Sequence, residues 1–385
     1  MKNFPITESL VFGAQALERT ETGLQPHRLP ASARRQNEDA GFSMAERQPS
    51  GVRLKFRTAA SAIELDVLPT KRVYTGMPER PDGVYDLVVD GALMQQKSAL
   101  GGRIMRIGMA PPSMVLEPGA VQVLRFENLP AGEKLVEIWL PHDEMTELVA
   151  LRADADLLPV PARKIWLHHG SSISQGSNAT SPTGIWPAVA AALGEVDLIN
   201  MGFGGNALLD PFTARAMRDT KADLVSVKMG INLVNLDLMR LRAFGPALHG
   251  FLDTIREGHP KTPLLVVSPI YCPIHETTPG PGQFDFAALA EGRLLFRAEG
   301  NPEEAAKGKL TLVAIRRKME EIVAQRAASD PNIHYLDGLA LYGEADNARL
   351  ALPDALHPDG AIHALMGQRF AQAAFSGVFS EIGRG

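Results

Sequence analysis

The chain has 385 residues, 45% of them hydrophobic and 22% charged, with a net charge of -5. That length exceeds what one core usually holds, so one large domain plus a smaller one is expected, and the composition is that of an ordinary globular protein. The acidic balance offers no basic surface for nucleic acid or anionic lipid, which excludes both as partners.

Cys272 is the single cysteine. It removes any intramolecular disulfide and any cysteine-built zinc site, and it fits a reducing compartment. The opening residues, Met1 to Glu8, hold no apolar core of signal-peptide length, and no later stretch is apolar for long enough to span a bilayer. The expectation is a cytoplasmic protein with no membrane partner. A homo-oligomer is left open.

From the start to about residue 155, short alternating runs separated by Gly, Pro and Asp follow the two-residue period of half-buried strands. Val52, Leu54 and Phe56 alternate with charged neighbours, as do Ile63, Leu65 and Val67. The run from Tyr85 to Gly91 ends in an Asp-Gly pair that turns a hairpin, and residues 135–140 and 148–151 supply later strands. Residues 1–160 are therefore expected to form a β-sandwich. Pro159 and Pro161 resist both helix and central strand and mark a junction, with a second domain over 161–385.

Beyond the junction, apolar runs alternate with helical patterns, the mark of a parallel sheet covered by helices on both faces. Strands are expected at 165–169, 196–201, 224–229, 264–268 and 333–337. The clearest helix lies at about 310–325, where Leu312, Ile315, Met319, Ile322 and Val323 recur on one face. Five strands in this arrangement make a flavodoxin-like, doubly wound α/β domain, whose ligand site lies at the carboxyl ends of the strands. Residues 271–309 interrupt the alternation and read either as a lid or substrate-shaping loop or as a surface insertion without consequence.

The residues after each strand end carry the chemistry. Ser172, in Gly170-Ser-Ser, is placed as a nucleophile, although the same turn suits a helix N-cap. In Asn200-Met-Gly-Phe-Gly-Gly-Asn206 the closely spaced glycines let backbone N–H groups approach a ligand; Gly205 is the candidate oxyanion donor, the alternative being a tight turn. Asn232, after Met229-Gly-Ile, is placed to donate a second hydrogen bond to an oxyanion, and Asn beside Gly is also a common turn. Asp354 and His357, three apart before the last helix, allow the carboxylate to fix the ring's tautomer and leave the other nitrogen to take a proton from Ser172. A helix cap beside an exposed histidine, or a pair of metal ligands, explains that motif as well.

A Ser, a Gly, an Asn and an Asp-x-x-His in this order, each at the end of its own strand, resemble the SGNH hydrolases, the GDSL-type lipase and esterase superfamily. The likeness covers about residues 163–380. Ser171 stands where the family usually has Asp, and Leu233 where it often has a second Asp; register with the family's first block favours Ser172 over Ser171. Gly170-Ser-Ser-Ile-Ser174, Trp186-Pro187, Asn200 to Gly204 and Arg218 to Val225, behind an all-β domain, look like a GDSL subgroup with an N-terminal jelly-roll, whose members include an acyltransferase. The resemblance implies an oxyanion hole built from the backbone N–H of Ser172, that of Gly205 and the Asn232 amide.

The function expected is a serine esterase working through an acyl-enzyme on a small-molecule or carbohydrate ester, with no cofactor and no metal. Transfer of an acyl group from an ester or thioester to an alcohol uses the same residues and is the alternative. Tyr271 and Phe203 are candidate substrate contacts, and Phe284, Phe286 and Phe296 of the 271–309 segment offer either an acceptor pocket or plain packing. Two rivals remain. A metal-dependent enzyme would draw on His168, His169, Asp354 and His357, although adjacent histidines on a strand face opposite ways. A non-enzymatic protein would use its β-sandwich to bind carbohydrate.

Overall fold

The computed structural model describes residues 1–109 and 112–380. The chain divides into two compact units. One comprises Met1–Arg34, Glu38–Ala162 and Thr180–Thr183, the other Arg35–Asn37, Arg163–Ala179 and Gly184–Gly385.

The first unit carries an eight-stranded and a six-stranded sheet. In the larger one the long strand Ile63–Tyr74 pairs antiparallel with Met145–Ala153 and Gln122–Phe126, and parallel with Arg103–Met109. In the smaller one Lys134–Trp139 lies between Arg53–Thr58 and Val84–Val89. Leu54 and Phe56 from one sheet and Ile63, Leu65 and Val67 from the other share a single apolar core, which makes this unit a β-sandwich. Asp90 and Gly91, with φ of 48° and 84°, take the left-handed conformations that a tight hairpin turn needs between Val84–Val89 and Ala92–Ser98. Leu148 and Leu151 both reach the core because the ladder slips between Leu148 and Ala150.

Two features depart from simple alternation. Arg53 and Lys55, expected to face solvent, are buried; Arg53 Nε bonds Glu137 Oε1 at 2.8 Å and its guanidinium lies over the Trp139 ring. A helix, Ala40–Arg47, also appears where only strands were expected, started by Asp39, whose carboxylate accepts from Phe42 N at 2.7 Å.

The second unit is built on a five-stranded parallel sheet in the order Asp197–Gly202, Ile165–Gly170, Leu224–Lys228, Leu264–Val267, Ile333–Leu336. Taken along the chain this is 2-1-3-4-5, the flavodoxin-like order. The second strand lies on one side of the first and the third on the other. Connections therefore diverge at the end of Ile165–Gly170 and open a crevice there. The central strands are buried on both faces, and helices Trp186–Leu193 and Gly360–Ala373 cover one of them, with Trp166, Trp186 and Phe370 stacked between. Helix Leu312–Ala327 buries Leu312, Ile315, Met319, Ile322 and Val323, the face expected from their spacing.

Residues 271–309 are a built insertion rather than an open loop. They contain the antiparallel pair Gly282–Phe284 and Phe296–Ala298, a short helix Phe286–Ala290 and a 3₁₀ segment Pro302–Lys307. Among the described residues, no helix is long and apolar enough to cross a membrane.

Candidate active site

The first strand stops at Gly170, and a helix of one turn, Ser172–Gln175, follows directly. Gly170 and the strand-end Gly202 explain how this helix sits so close to the sheet. A Cβ at Gly170 would lie 2.3 Å from Ser174 Oγ, and one at Gly202 would lie 2.5 Å from Gln175 N. Ser171 caps the helix, its side chain accepting from Ile173 N, and is 1% exposed. Ser172, 9% exposed, is the serine that opens outward. Two further buried groups hold the turn: Asn200 Nδ2 donates to Ser174 O at 2.9 Å, and Gln175 Oε1 accepts from Gly204 N at 2.7 Å.

His357 Nε2 lies 3.0 Å from Ser172 Oγ, and His357 Nδ1 lies 2.8 Å from Asp354 Oδ2. The loop that carries both folds around its own carboxylate. Asp354 Oδ1 accepts from Leu356 N at 2.9 Å and from His357 N at 2.6 Å, while Oδ2 also takes Asn178 Nδ2 at 3.1 Å. Burial pushes the Asp354 carboxyl up, but the His357 ring and the backbone N–H groups of His357 and Leu356 outweigh it and hold the carboxyl below its ordinary value. The last helix has a different cap, Asp359, which accepts from Ile362 N at 3.0 Å; Asp354 is therefore free of that task.

The turn after the second strand reaches the same serine, and Asn232, after the third, is bonded to that turn. Gly205 has φ of +75° and open space where a Cβ would point, and the Cβ position of Gly204 is 3.7 Å from Ser172 Cβ. Asn232 Oδ1 accepts from Ala207 N at 3.0 Å, which fixes the amide so that Nδ2 is the free end. Among the described residues, the Ser172 N–H, the Gly205 N–H and Asn232 Nδ2 have no acceptor. Hydrogen-bond donors without an acceptor are what a site for a developing oxyanion requires.

The 271–309 insertion reaches the same loop. Phe296 N donates to Asp354 O at 2.9 Å, and the Phe296 ring stands edge-on to His357 with centroids 5.4 Å apart; Phe284 packs on Phe296 at 4.8 Å. Phe286 is 58% exposed. Tyr271 is half-buried, its N–H on Tyr342 O and its phenol beside Glu344. Cys272 Sγ donates to Ala355 O at 3.4 Å; burial, with the Glu276 carboxylate nearby, pushes its thiol up to about 12, which leaves it unreactive.

Phe203 corrects an expectation. Its side chain is wholly buried and packs against the His169 ring with centroids 5.9 Å apart, so it is core and lines no open surface. Its neighbours Gly202 and Gly204 face the Ser172 turn, where a Cβ would lie 2.5 Å from Gln175 N and 3.2 Å from Gln175 Oε1, and alternation turns Phe203 away. The metal constellation also fails on geometry. Both ring nitrogens of His168 are taken by serine hydroxyls, His169 Nδ1 bonds Met201 O at 2.7 Å, and both rings are buried. Among the described residues, no three side chains of metal-binding type come together.

Asn178, Asn200 and Gln175 were not singled out from the sequence, and Phe296 was named only as part of an acceptor pocket or of plain packing. Asn200 opens the motif quoted for Gly205, and Gln175 directly follows the Gly170 to Ser174 motif. Asn178 and Phe296 reach the loop from 176 and 58 positions away along the chain, and nothing local announces them.

Residues 169–365 match the GDSL-like lipase/acylhydrolase family, a little over half of the chain. Among solved structures, the salicylyl-acyltransferase SsfX3 from a tetracycline biosynthetic pathway is 28% identical with a TM-score of 0.77, covering 96% of this chain and 95% of that one. A Bacteroides ovatus protein described as a GDSL-like lipase is 18% identical with a TM-score of 0.65, covering 96% of each chain. A family two carbohydrate esterase from Clostridium thermocellum is 12% identical with a TM-score of 0.55, covering 85% of this chain and 92% of that one. The last two share the fold alone. No curated protein sequence matches this chain.

Proposed function

The chain belongs to the GDSL-like lipase/acylhydrolase family, and from that premise we propose that it is a serine esterase acting through an acyl-enzyme on a small-molecule or carbohydrate ester. The observation that carries this is the unbroken hydrogen-bond chain from Ser172 through His357 to Asp354.

In the first half-reaction the Ser172 hydroxyl gives its proton to His357 Nε2 as Oγ forms a bond to the ester carbonyl carbon. The oxyanion that develops lies among the N–H of Ser172, the N–H of Gly205 and Asn232 Nδ2. Asp354 holds the ring with Nδ1 protonated and balances the imidazolium. Collapse breaks the bond to the alcohol oxygen, which takes the proton from His357, and leaves the acyl group on Ser172. In the second half-reaction water loses a proton to His357 and attacks the acyl carbon; the acid departs and Ser172 recovers its hydrogen.

A second reading is acyl transfer, in which an alcohol replaces that water. The likeness to a salicylyl-acyltransferase along 96% of the chain supports it. So does Phe296 beside His357, an apolar wall that limits access of water to the acyl-enzyme. The lone buried cysteine supports a reducing, cytoplasmic setting for either reaction.

Intact mass after treatment with a small fluorophosphonate, wild type beside Ser172→Ala, tests the chemistry, with p-nitrophenyl esters assayed in parallel. One adduct is expected in the wild type and none in the variant, with ester turnover falling by a factor on the order of 10⁴ or more. An adduct that persists in Ser172→Ala refutes the assignment. Adding a soluble alcohol to the ester assay separates the readings: a transferase yields the new ester in excess over free acid, an esterase yields acid.

A further inference from the structure

Beneath the nucleophile turn the sheet carries a line of polar side chains where apolar packing alone would fill the space. Trp166, His168, Ser226 and Ser174 are all wholly buried. Trp166 Nε1 donates to Ser226 Oγ at 2.8 Å, Ser226 Oγ lies 2.7 Å from His168 Nδ1, and His168 Nε2 lies 2.8 Å from Ser174 Oγ. Trp166 and His168 are two apart on the first strand, and Ser226 is the register partner of His168 on the third, so the three share one face of the sheet. Ser174 belongs to the same helix turn as Ser172.

The direction of these bonds follows from their chemistry. An indole N–H only donates, so Ser226 Oγ is the acceptor there. Its single hydrogen has one acceptor among the described residues, His168 Nδ1. Leaving a buried hydroxyl hydrogen unpaired costs about 1–3 kcal/mol, so Ser226 donates and Nδ1 carries no proton. The ring proton is then on Nε2 and points at Ser174 Oγ. Burial first, and then electrostatic repulsion from His169 and Lys228 were the ring to charge, keep it from taking a second proton.

A helix of four residues has too few backbone bonds of its own to fix its rotation. Ser172 Oγ faces His357 on its open side, and Ser174 Oγ is tied to His168 on its buried side. Turning the helix to lengthen one of these contacts disturbs the other. We infer that Ser226, His168 and Ser174 form a positioning relay that sets the angle of the nucleophile turn and so holds Ser172 Oγ in line with His357 Nε2. The relay rests on Ser172 being the nucleophile. Its members touch no substrate and act through Ser172.

The full-length protein and its Ser174→Ala, Ser226→Ala, His168→Gln and Ser172→Ala variants test it, by p-nitrophenyl acetate kinetics, fluorophosphonate labelling rate and thermal melting. Ser174→Ala is expected to lower kcat and labelling rate by about 10- to 100-fold, the scale of a misplacement near 1 Å, with KM within about twofold. Ser226→Ala lowers both less. His168→Gln, whose amide both accepts and donates, is expected to lose less than Ser174→Ala. Nitrogen-15 correlation spectra of the wild type are expected to place the His168 proton on Nε2. Wild-type kcat and labelling rate in Ser174→Ala, or a proton on Nδ1, overturns the relay while leaving the Ser172 assignment intact. An adduct surviving in Ser172→Ala overturns that assignment and the relay together.

Discussion

Ser172 sits on a turn whose supports are all internal. Asn200, Gln175 and His168 tie it to the sheet and to the next strand end, and Gly170 and Gly202 leave the room it occupies. His357 sits on a loop with no helix or strand of its own, shaped by Asp354, which accepts two backbone N–H groups of that loop before it reaches the ring. Its outer edge is held by Phe296, from an insertion. The two halves of the site are thus built differently. Many residues outside the hydrogen-bond chain hold the Ser172 turn, whereas on the His357 side one carboxylate bonds both the loop and the ring.

Substitutions at Asp354 separate those two tasks and have the largest effect. In Asp354→Asn an amide oxygen still accepts from Leu356 N and His357 N, but the amide nitrogen meets the His357 ring and favours the wrong tautomer. Turnover is expected to fall by about 10⁴-fold with little change in melting temperature. Asp354→Ala loses the loop contacts too, leaving two N–H groups without a partner at about 1–3 kcal/mol each, so melting falls as well. Equal melting temperatures for the two variants would show that the carboxylate does not fold the loop.

Asn232→Ala probes the nucleophile side. Its Nδ2 is one of three donors, so its loss is expected to cost about 10²- to 10³-fold in kcat, roughly 3–4 kcal/mol of transition-state stabilisation. Asn232 Oδ1 also holds Ala207 N, yet the turn it braces is exposed at Gly205 and relaxes toward water, so folding survives. Unchanged turnover removes Asn232 from the oxyanion site.

The same contrast governs what was legible in the sequence. Asp354 and His357 are readable because their relation is local: a spacing of three residues on a loop is enough to bring a carboxylate to a ring nitrogen. Ser172, Gly205 and Asn232 needed the further assumption that strand ends converge, which the parallel sheet meets. Ser226 and Asn178 were silent, and His168 was read only as a metal ligand, because their contacts depend on inter-strand register or on a loop returning from far along the chain. Phe203 shows the opposite error. It lies inside a site motif, but side chains alternate about a strand end, and one position decides between crevice and core.

The internal character of the nucleophile side also has a cost that pH exposes. Lys228 ends the third strand as the register partner of Gly170, and it is buried with no ion pair among the described residues. Burial lowers its ammonium from 10.5 to about 8. Between those values the unfolded chain binds more protons than the folded one, so this group makes stability rise with pH across the window of about 8 to 10.5; below about 8 its full penalty is present. Lys228→Met keeps the length and removes the charge. It is expected to raise unfolding free energy at pH 7 by an amount on the order of 1–3 kcal/mol and to flatten the rise above pH 8, both read by denaturant titration. A variant less stable at pH 7 with the same pH slope would mean that Lys228 has found a compensating partner, and that even the most enclosed part of the site contains a working charge.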